Sequence, residues 1–543
     1  MYGAVEKMYV LAPLLIPHTP LPQSCFPKML VKTHSATVNG LTALSIAVEV
    51  HTSKSAQTTF IMVGLPDNAV RESRSRVTAA LQNTKIYLPE PQLTTINFAP
   101  ADVRKEGTGF DLPVAIGMVA AAKIMPTDLL DRYMLVGELG LDGSIRPIKG
   151  ALPIAIKARA EGFEGLIVPE ENVREAAVVN QLKVYGAKHL KQVIAFLSGE
   201  PTLEQTIVNT REEFYQAQAE CPYDFSEVKG QENVKRAFEV AAAGGHNLML
   251  IGAPGCGKSM MAKRMPSILP RLTLAESLET TQIHSIAGCL ASGTSLITRR
   301  PFRAPHHTVS DVALIGGGAT FQPGEISLAH NGVLFMDELP EFSKVALATL
   351  RQPLEDRVIN ISRAKYRATL PCSFMLVAAM NPCPCGYYNH PTRRCDCTPG
   401  QVQRYKNKIS GPLLDRLDMH VEVVPLSLDE LTKAPAGESS AQIRERVEKA
   451  RAIQAERFKD SKGIHCNAQM TDAQINTFAT PDAAGETLLR AAIRKHDLSA
   501  RAYTRILKVA RTIADLEGAS QIQSHHIAEA VGYRSLERAS WGE

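Results

Sequence analysis

The sequence predicts an α/β protein of three parts: an α/β N-terminal domain, an αβα core and a helical C-terminal domain. Three observations support this fold class. Short β-like runs alternate with amphipathic helical stretches over residues 30–200. Apolar strands that end in polar or glycine-rich turns follow over residues 225–425. The sequence after residue 425 has helical periodicity almost throughout.

Length and composition agree with a three-domain globular protein. The chain has 543 residues, and domains typically contain about 100–200. With 45% hydrophobic and 21% charged residues, it is neither disordered nor collagen-like over most of its length. A net charge of +5 is too small to identify a partner, and ten cysteines are too few for a disulfide scaffold.

The N-terminal extension, residues 1–28, is predicted to be disordered or misannotated, with a targeting segment as the alternative. Lys7 followed by Met8–Ile16 resembles the start of a signal peptide. Prolines break this apolar run well short of the ~18 residues needed to span a membrane. No other segment is apolar enough to cross one, so we expect a cytoplasmic protein without a membrane partner.

The domain boundaries follow from these patterns. The N-terminal domain is predicted over residues 29–205, with strands and helices at Thr94–Ala99, Tyr133–Leu139, Asp67–Gln82 and Ala151–Glu161. The polar residues 206–224 are predicted to be a linker. The core is predicted over residues 225–425. The C-terminal domain, residues 426–543, is predicted to contain helices at Ala441–Phe458, Gly485–Lys495 and Ala500–Glu517.

A glycine-rich loop gives the strongest functional signal. It follows the apolar run Asn247–Ile251 and precedes a helical stretch, as a phosphate-binding loop requires. Backbone N–H groups of such a loop close around phosphates, and the next helix presents its positive end. Lys258 is predicted to reach the β- and γ-phosphates of ATP, and Ser259 to ligate Mg²⁺. The predicted nucleotide-binding residues of this loop are Gly252, Pro254, Gly255, Cys256, Gly257, Lys258, Ser259 and Met260.

Two further apolar runs end in residues suited to catalysis. The run from Gly332 ends in Asp337 and Glu338, which are predicted to hold the metal through its water and to polarise the attacking water. Another run, Ser373–Met380, ends at Asn381, which is predicted to orient the water beside the γ-phosphate.

Arginines in two segments are candidates for stabilising the transferred phosphoryl group. Arg416 lies on a predicted helix end after the third strand, from where it could reach across a subunit interface, and Arg404 is the competing candidate. Arg501 or Arg505, at the start of a helix in the last domain, could contact the nucleotide.

The ordered set of Gly252–Ser259, Asp337, Glu338, Asn381, Arg416 and Arg501 resembles an AAA+ ATPase. The segments Phe302–His307 and Pro323–Gly332 are similar to the magnesium-chelatase-like branch. Together with the N-terminal part, the sequence resembles the ComM/YifB family over residues 30–537. The resemblance implies a hexameric ring that hydrolyses ATP and moves on DNA, with a role in branch migration during natural transformation.

A basic segment supports a polyanionic partner. Between Arg357 and Lys408 there are nine basic residues and one acid, Asp396. Arg363, Lys365 and Arg367 alternate, so they are predicted to share one face of a hairpin.

In the AAA+ ring implied by the resemblance, this hairpin is similar to a pore element that grips the nucleic-acid backbone in a salt-sensitive way. The alternative is a solvated edge strand protected by charge. A second candidate pore insertion spans residues 296–325, where a pore role and a structural role for His306 and His307 both stay open.

Four of the ten cysteines form a compact cluster: Cys383, Cys385, Cys395 and Cys397. Four thiolates this close suit a tetrahedral, closed zinc site, although each pair is separated by one residue instead of the usual two to four. A structural role is favoured because four protein ligands leave no open position. A reduced-thiol loop and a redox pair are the alternatives.

The segments Lys105–Pro113, Gly137–Gly143 and Ile167–Asn172 resemble the proteolytic domain of Lon. A protease of that type needs a serine nucleophile and a lysine base. The serine position carries Phe110 or Asp111 here, and the lysine position falls on Pro153 or Ile154. We therefore expect the fold without the peptidase chemistry, and a role in ring assembly or DNA binding.

Residues and resemblance together predict an ATP-driven hexameric motor acting on single-stranded or branched DNA, with ATP and Mg²⁺ as cofactors and structural zinc in the cysteine cluster. ATP would lie between subunits, bound by Lys258, Ser259 and Asp337, with Arg416 supplied by the neighbour. Hydrolysis would tilt the C-terminal domain through Arg501. The alternative is a chelatase-type remodeller that acts on a protein or metal-insertion partner.

Overall fold

The structure is a computed structural model of the chain. It describes residues 30–89, 92–217, 222–318, 321–363, 366–426, 437–461, 463–496 and 498–534, so the predicted extension 1–28 lies outside the described residues. The predicted α/β class with a helical C-terminal region is confirmed. Within the described ranges, no helix has an apolar stretch long enough to cross a membrane.

An eight-stranded mixed sheet forms the N-terminal domain, in the order β10-β9-β8-β5-β1-β2-β4-β3. Its strands, and the separate ribbon of β6 and β7, are β1 (Leu30–Asn39), β2 (Thr42–Lys54), β3 (Thr59–Val63), β4 (Gln92–Ala99), β5 (Tyr133–Leu135), β6 (Glu138–Leu139), β7 (Ile145–Arg146), β8 (Gly165–Pro169), β9 (Lys183–Ala187) and β10 (Gln205–Thr206). The helices are α1 (Asn68–Asn83), α2 (Asp111–Ala121), α3 (Ala151–Ala160), α4 (Val173–Ala176) and α5 (Leu190–Leu197). Every residue of α2 is buried, which explains its almost continuous apolar sequence.

Two local predictions for this region differ from the structure. The strand predicted over Tyr133–Leu139 is divided, since β5 ends at Leu135 and the next two residues separate it from β6. The predicted linker contains helix α6 (Thr210–Ala217). Phe214 of α6 is only 2% exposed and packs into a core cluster, so an apolar anchor holds this polar segment against the domain.

The core is built on a five-stranded, fully parallel sheet in the order β12-β13-β16-β11-β17. Its strands and the hairpin β14–β15 are β11 (Leu248–Gly252), β12 (Phe302–Arg303), β13 (Val333–Met336), β14 (Val358–Arg363), β15 (Tyr366–Pro371), β16 (Met375–Met380) and β17 (Met419–Val423). The helices are α7 (Glu232–Gly244), α8 (Lys258–Ile268), α9 (Leu274–Ala287), α10 (Asp311–Ile315), α11 (Glu325–Leu328), α12 (Lys344–Thr349), α13 (Arg351–Asp356), α14 (Pro399–Lys406) and α15 (Gly411–Leu414). The central strands β11, β13 and β16 are buried along their whole length, so the side chains at their carboxyl ends meet at one edge.

The C-terminal region is helical: α16 (Ser440–Arg457), α17 (Asp472–Phe478), α18 (Ala483–His496), α19 (Ala500–Leu516) and α20 (Ser524–Gly532). It shares one hydrophobic cluster with the core, in which Ile506 and Ile513 of α19 are fully buried together with Phe238 of α7. A buried ion pair adds a polar anchor, because Nη1 of Arg505 lies 2.5 Å from Oδ1 of Asp418.

The N-terminal domain packs directly on the core. Leu272 and Leu296 of the core lie in one hydrophobic cluster with residues of α3 and α4. The hydroxyl of Ser285 in α9 donates to the buried carboxylate of Glu175 in α4. The β1–β2 turn reaches further, and Leu41 in this turn packs on the cluster that includes the hairpin residue Ile361. The N-terminal sheet therefore supports the β14–β15 hairpin.

Candidate active site

The phosphate loop connects β11 to α8, as the sequence predicts. Gly255 and Gly257 have φ angles of +80° and +91°, which residues with side chains rarely adopt. Lys258 begins α8 and is 8% exposed; its ammonium donates hydrogen bonds to the carbonyl oxygens of Gly252 at 2.6 Å and Ala253 at 3.0 Å. Of the predicted nucleotide-binding residues 252–260, Gly252 ends β11 and the others lie in this loop or in the first turn of α8.

The predicted magnesium ligands lie side by side. The hydroxyl of Ser259 donates to Oδ2 of Asp337 at 2.6 Å, and Oδ1 of Asp337 accepts the backbone N–H of Glu338 at 2.9 Å. A hydroxyl and a carboxylate oxygen next to a phosphate loop are the donors that Mg²⁺ prefers. These residues fit a magnesium ion bound with ATP.

Asn381 completes a linked set of side chains at the sheet edge. It follows β16 directly, and its Oδ1 accepts a hydrogen bond from the Lys258 ammonium at 3.1 Å. The structure therefore brings together Lys258, Ser259, Asp337 and Asn381, as the sequence predicts from the ends of their strands.

Glu338 differs from these residues because its carboxylate points towards solvent and contacts a histidine. Its side chain is 55% exposed, and Oε2 lies 3.2 Å from Nδ1 of His307. The backbone of Glu338 is left-handed, with φ +51°, a conformation that costs free energy in a residue with a side chain. Sequence reasoning left the role of His307 open. The contact arises because His307 follows β12, and β12 pairs with β13, the strand that leads into Glu338. This strand pairing is seen in the structure and not in the sequence.

The candidate arginines lie away from the phosphate loop of their own chain. Asn247, immediately before β11, donates from Nδ2 to the backbone oxygen of Arg416 at 3.2 Å, so Arg416 lies at the opposite edge of the sheet. Five residues of strand β11 separate the two edges by about 16 Å. Nη1 of Arg501 lies 3.6 Å from Oδ2 of Asp415, beside Arg416. This arrangement therefore does not place Arg501 beside the nucleotide-binding loop of its own chain.

The remaining arginine contacts distinguish the candidates. The side chain of Arg416 is 15% exposed and its guanidinium is held by Glu355 and by the carbonyl oxygen of Pro412, whereas the side chain of Arg501 is 63% exposed. Arg505 is committed to the buried pair with Asp418, and Arg404 is exposed in the last turn of α14.

The predicted hairpin is present, but positions 363 and 367 do not share one face. Ser362 is paired with Arg367, and Arg363 with Tyr366. Paired residues share a face and successive residues alternate, so positions 363 and 367 lie on opposite faces of the ribbon. The prediction from alternation is wrong because the chain reverses between these positions. Lys365 lies outside the described residues.

Arg367 lies on the solvent face of the hairpin. The opposite face packs Ile359, Ile361 and Leu370 into a core cluster, while Arg367 is exposed. The rest of the basic segment is dispersed, since Lys406 is buried and Lys408 pairs with Glu341 at 2.9 Å. The basic side chains that the structure describes between residues 357 and 408 therefore do not form a single charged surface.

The four clustered cysteines converge. Sγ of Cys383 lies 3.3 Å from that of Cys385 and 3.7 Å from that of Cys395, and all four sulfurs lie within 4.8 Å of one another. A tetrahedron with zinc–sulfur bonds of about 2.3 Å has sulfur–sulfur edges of about 3.8 Å. The backbone N–H of Tyr388 also points at Sγ of Cys383, at 3.3 Å. The donor set fits zinc.

The cysteine loop touches the phosphate loop. A Cβ atom on Gly386 would lie 2.5 Å from Cδ of Pro254. The two loops can therefore pack this closely because residue 386 is a glycine. Cys383 is also only two residues after Asn381. The conformation of the cysteine loop therefore affects the geometry of the phosphate loop.

The positions of the missing Lon-type dyad have structural roles. Asp111 is fully buried and accepts two hydrogen bonds from Arg76, at 2.7 and 2.9 Å. Phe110, Pro153 and Ile154 are buried in the packing around α2 and α3. None of these positions carries the serine or the lysine of a Lon-type dyad, and the carboxylate of Asp111 is engaged by Arg76.

A parallel sheet with a phosphate loop, an acidic pair and a polar residue at the carboxyl ends of neighbouring strands defines an AAA+ ATPase. The family models of the magnesium chelatase subunit ChlI match three segments of the chain: residues 48–172, 224–431 and, for the C-terminal part of that subunit, 437–534. The chain belongs to the ComM/YifB family of magnesium-chelatase-like proteins.

Relatives match over nearly the whole chain. The competence protein ComM of Haemophilus influenzae is 42% identical over 506 residues, which cover 92% of this chain and 96% of ComM. The YifB protein of Escherichia coli is 43% identical over 507 residues, 93% of this chain and 97% of YifB. A more distant match is the DNA replication licensing factor mcm7 of Schizosaccharomyces pombe, 29% identical over 170 residues, which cover 29% of this chain and 20% of that protein.

Proposed function

We propose that this AAA+ ATPase is a DNA motor that works as a homohexameric ring and promotes branch migration of incoming DNA during natural transformation. The observation that carries the DNA assignment is the β14–β15 hairpin, which presents Arg367 to solvent and leads directly into β16 and Asn381. A DNA contact on this hairpin would thus connect to the catalytic edge through a few residues of backbone.

The relatives support the same assignment. One is named a competence protein, and the more distant match is named a DNA replication licensing factor. The second of these names refers to DNA, which favours nucleic acid over a protein substrate. The match to magnesium chelatase ChlI keeps a second candidate, a remodeller of a protein partner, as the alternative outcome of the test.

The position of the arginines supports assembly into a ring. Arg416 and Arg501 lie about one strand length from the phosphate loop of their own chain, at the opposite edge of the sheet. In a ring with head-to-tail contacts, that edge of one subunit can face the phosphate loop of the next. We therefore propose that both arginines act on the nucleotide of a neighbouring subunit, where a guanidinium stabilises the charge of phosphoryl transfer.

The proposed chemistry follows from the side chains at the catalytic edge. Lys258 binds the phosphates, and Ser259 and Asp337 provide oxygen ligands for magnesium, which neutralises phosphate charge when bound. Glu338 accepts a proton from the attacking water, and Asn381 orients that water.

We propose further that Cys383, Cys385, Cys395 and Cys397 hold one structural zinc ion. The sulfur–sulfur distances support a tetrahedral site, and four thiolates close its coordination sphere. The ion would hold the cysteine loop against Pro254. It would thereby fix the position of Asn381 relative to the phosphate loop.

The test of the DNA assignment compares two charge reversals. Arg367→Glu alters the hairpin, and Arg159→Glu alters an exposed position in α3 of the N-terminal domain. ATP hydrolysis and binding to labelled single-stranded and forked DNA are measured over a range of salt concentrations. We expect the hairpin variant to bind DNA roughly tenfold more weakly, with a shallower salt dependence, and the α3 variant to resemble the wild type.

Strand displacement on forked and four-way DNA completes the test, with Glu338→Gln as the control that blocks hydrolysis. The DNA motor would be contradicted if DNA did not change the rate of wild-type ATP hydrolysis and the Arg367→Glu variant behaved as the wild type. That result would favour the remodeller.

A further inference from the structure

We propose that a cavity between α8, α16 and the segment before β12 is a second nucleotide site, separate from the phosphate loop. The base would lie against an apolar wall, and the phosphate group beside basic side chains at the rim. The inference does not rest on the proposed DNA motor, because neither the β14–β15 hairpin nor the catalytic edge forms part of the cavity.

The size and the wall of the cavity suit a small planar ligand. Its volume is about 310 Å³, which lies within the range of small-molecule sites. The apolar part of the wall includes Pro266, Leu269, Leu272 and Phe302. The ring of Phe302 stacks on that of Phe335 at a centroid distance of 5.9 Å, so this part of the wall is held in place. Such a wall favours an aromatic group over a flexible polar one.

ATP bound at the phosphate loop does not fill this cavity. Helix α8 runs from Lys258 to Ile268, so its ends lie about 16 Å apart, and the cavity lies along its second half. Residues 298–300 also line the cavity. They precede β12 and therefore lie at the amino ends of the core strands, whereas the catalytic residues follow the carboxyl ends. The cavity is thus a separate site within the same core.

The charge of the rim points to an anionic group on the ligand. Among the residues that the structure describes, the cavity is lined by no acidic side chain and by five basic ones: Lys263, Arg271, Arg299, Arg300 and Arg444. Two of these are neutralised by carboxylates outside the cavity. Nε of Arg271 lies 4.0 Å from Oε1 of Glu448, and Nη1 of Arg300 lies 3.2 Å from Oε1 of Glu276.

The other three cations are available to a ligand. In the described part of the chain, no carboxylate oxygen lies within 4.0 Å of Lys263, Arg299 or Arg444. Lys263 and Arg299 are exposed, and Arg444 donates to the carbonyl oxygen of Ser267 at 3.2 Å. Cations that converge on a concave surface attract an anion, and the oxygens of a phosphate group accept hydrogen bonds from lysine and arginine.

Tyr223 provides a surface on which a base can stack. The residue lines the cavity and is 44% exposed. The guanidinium of Arg264 lies over its ring, 5.6 Å from the centroid, and Nε of Arg264 donates to the carbonyl oxygen of Asp224 at 2.9 Å. The ring is therefore held in position before a ligand arrives. An aromatic platform beside basic side chains is the arrangement that binds the base and the phosphate of a nucleotide together.

Two sources carry this chemistry: a free nucleotide, and a nucleotide within single-stranded DNA. The probe for the shared chemistry is labelled thymidine monophosphate, whose binding to the full chain is measured by equilibrium dialysis. We expect about one molecule bound per chain, with the same affinity in Lys258→Ala, because the phosphate loop is not the site.

Two substitutions in the cavity test the site itself. Tyr223→Ala removes the stacking surface and Lys263→Glu reverses a charge at the rim, so each should weaken binding of thymidine monophosphate by about tenfold. The matched controls are Tyr87→Ala and Lys459→Glu, at positions that are 72% and 60% exposed and lie outside the cavity. Both controls should bind the probe as the wild type does.

Unlabelled competitors then identify the source. Oligothymidylate that displaces the probe, in the wild type and in Arg367→Glu, assigns the cavity to single-stranded DNA, whereas failure to displace it assigns the cavity to free nucleotides; both results support the site. Inorganic phosphate that competes as well as unlabelled thymidine monophosphate would overturn the inference, because the base would then contribute nothing. Absence of binding would also overturn it, and so would binding that is lost in Lys258→Ala but unchanged in Tyr223→Ala and Lys263→Glu.

Discussion

The amide oxygen of Asn381 accepts a hydrogen bond from the ammonium of Lys258, with 3.1 Å between the two atoms. The contact joins the ends of two adjacent parallel strands, β16 and β11, across the catalytic edge. Lys258 belongs to the phosphate-binding element, and Asn381 leads into the cysteine loop. Phosphate binding and the position of strand β16 are therefore linked through this pair of side chains.

Replacing Asn381 should affect hydrolysis more than binding. In Asn381→Ala the lysine keeps its bonds to Gly252 and Ala253, so we expect KM for ATP within about threefold of the wild type. The orientation of the attacking water is lost, and kcat should fall by roughly 10- to 100-fold. Steady-state ATP hydrolysis measures both constants. Asn407→Ala, at an exposed position after α14, is the matched control and should match the wild type; an Asn381→Ala variant that changes only KM would contradict this role.

The positions of Arg416 and Lys258 at opposite sheet edges predict complementation between subunits. Lys258→Ala lacks a working phosphate loop, and Arg416→Ala lacks the arginine it supplies to its neighbour. Each alone should lose at least about 100-fold in ATP hydrolysis. A mixture in equal amounts should recover about a quarter of the wild-type sites, because a site needs one subunit type on each side.

The control for this prediction mixes Lys258→Ala with Glu338→Gln. Both residues belong to the same edge of one subunit, so every site in the mixture lacks one of them or the other. Only Glu338→Gln sites bind ATP, and they cannot hydrolyse it, so no activity should return. Absence of recovery in the Arg416 mixture would show that Arg416 does not act between subunits.

The convergence of the proposed catalytic side chains at one sheet edge could be predicted from the sequence because each of the parts is local, and their catalytic roles stay predictions. The phosphate loop, Asp337 and Asn381 each follow an apolar run, and parallel strands bring their carboxyl ends together without further information. The convergence of the four cysteines is also local, since a loop of fifteen residues closes it.

The errors concern features that depend on register or on distant packing. Alternation along the sequence placed Arg363 and Arg367 on one face, but the turn between them reverses that relation. The contact of Arg501 with a nucleotide stays a prediction, and its location beside Asp415 depends on how α19 packs on the core, which no local pattern specifies. The helix in the predicted linker depends on one buried aromatic residue, Phe214, in an otherwise polar segment.

The cysteine cluster should contain about one zinc ion per chain in protein purified without chelators. Cys395→Ser should lose most of the metal and raise KM for ATP several-fold, because the loop no longer holds Gly386 against Pro254. Elemental analysis and ATP hydrolysis measure the two effects. Cys289→Ser, at an exposed cysteine outside the cluster, should retain both zinc and KM. Wild-type protein without zinc would contradict the site.

Two buried histidines, His246 and His420, lie where the core packs against the C-terminal helices. They predict a loss of stability below neutral pH. Burial lowers the pKa of His420 to about 3, and burial also lowers the pKa of His246. The native state then stays neutral while the unfolded chain takes up protons below its ordinary histidine pKa of 6.5, so stability is lost as the pH falls through that value. For His420 the loss between pH 7 and pH 5 is about 2 kcal/mol.

Asp418, next to these histidines, responds in a lower pH range. Burial raises the pKa of its carboxyl group, but the charge of Arg505 and the contacts with His246 outweigh burial and hold it well below its usual value. A carboxylate with a lowered pKa contributes stability that disappears only below its unfolded pKa of about 3.9. Urea unfolding measured between pH 7 and pH 5 therefore reports mainly on the histidines. We expect His420→Leu to reduce the pH-dependent loss by about 2 kcal/mol, whereas His465→Leu, at an exposed position, should leave the pH dependence as in the wild type. An unchanged pH dependence in His420→Leu would show that His420 is not the group that couples folding to pH.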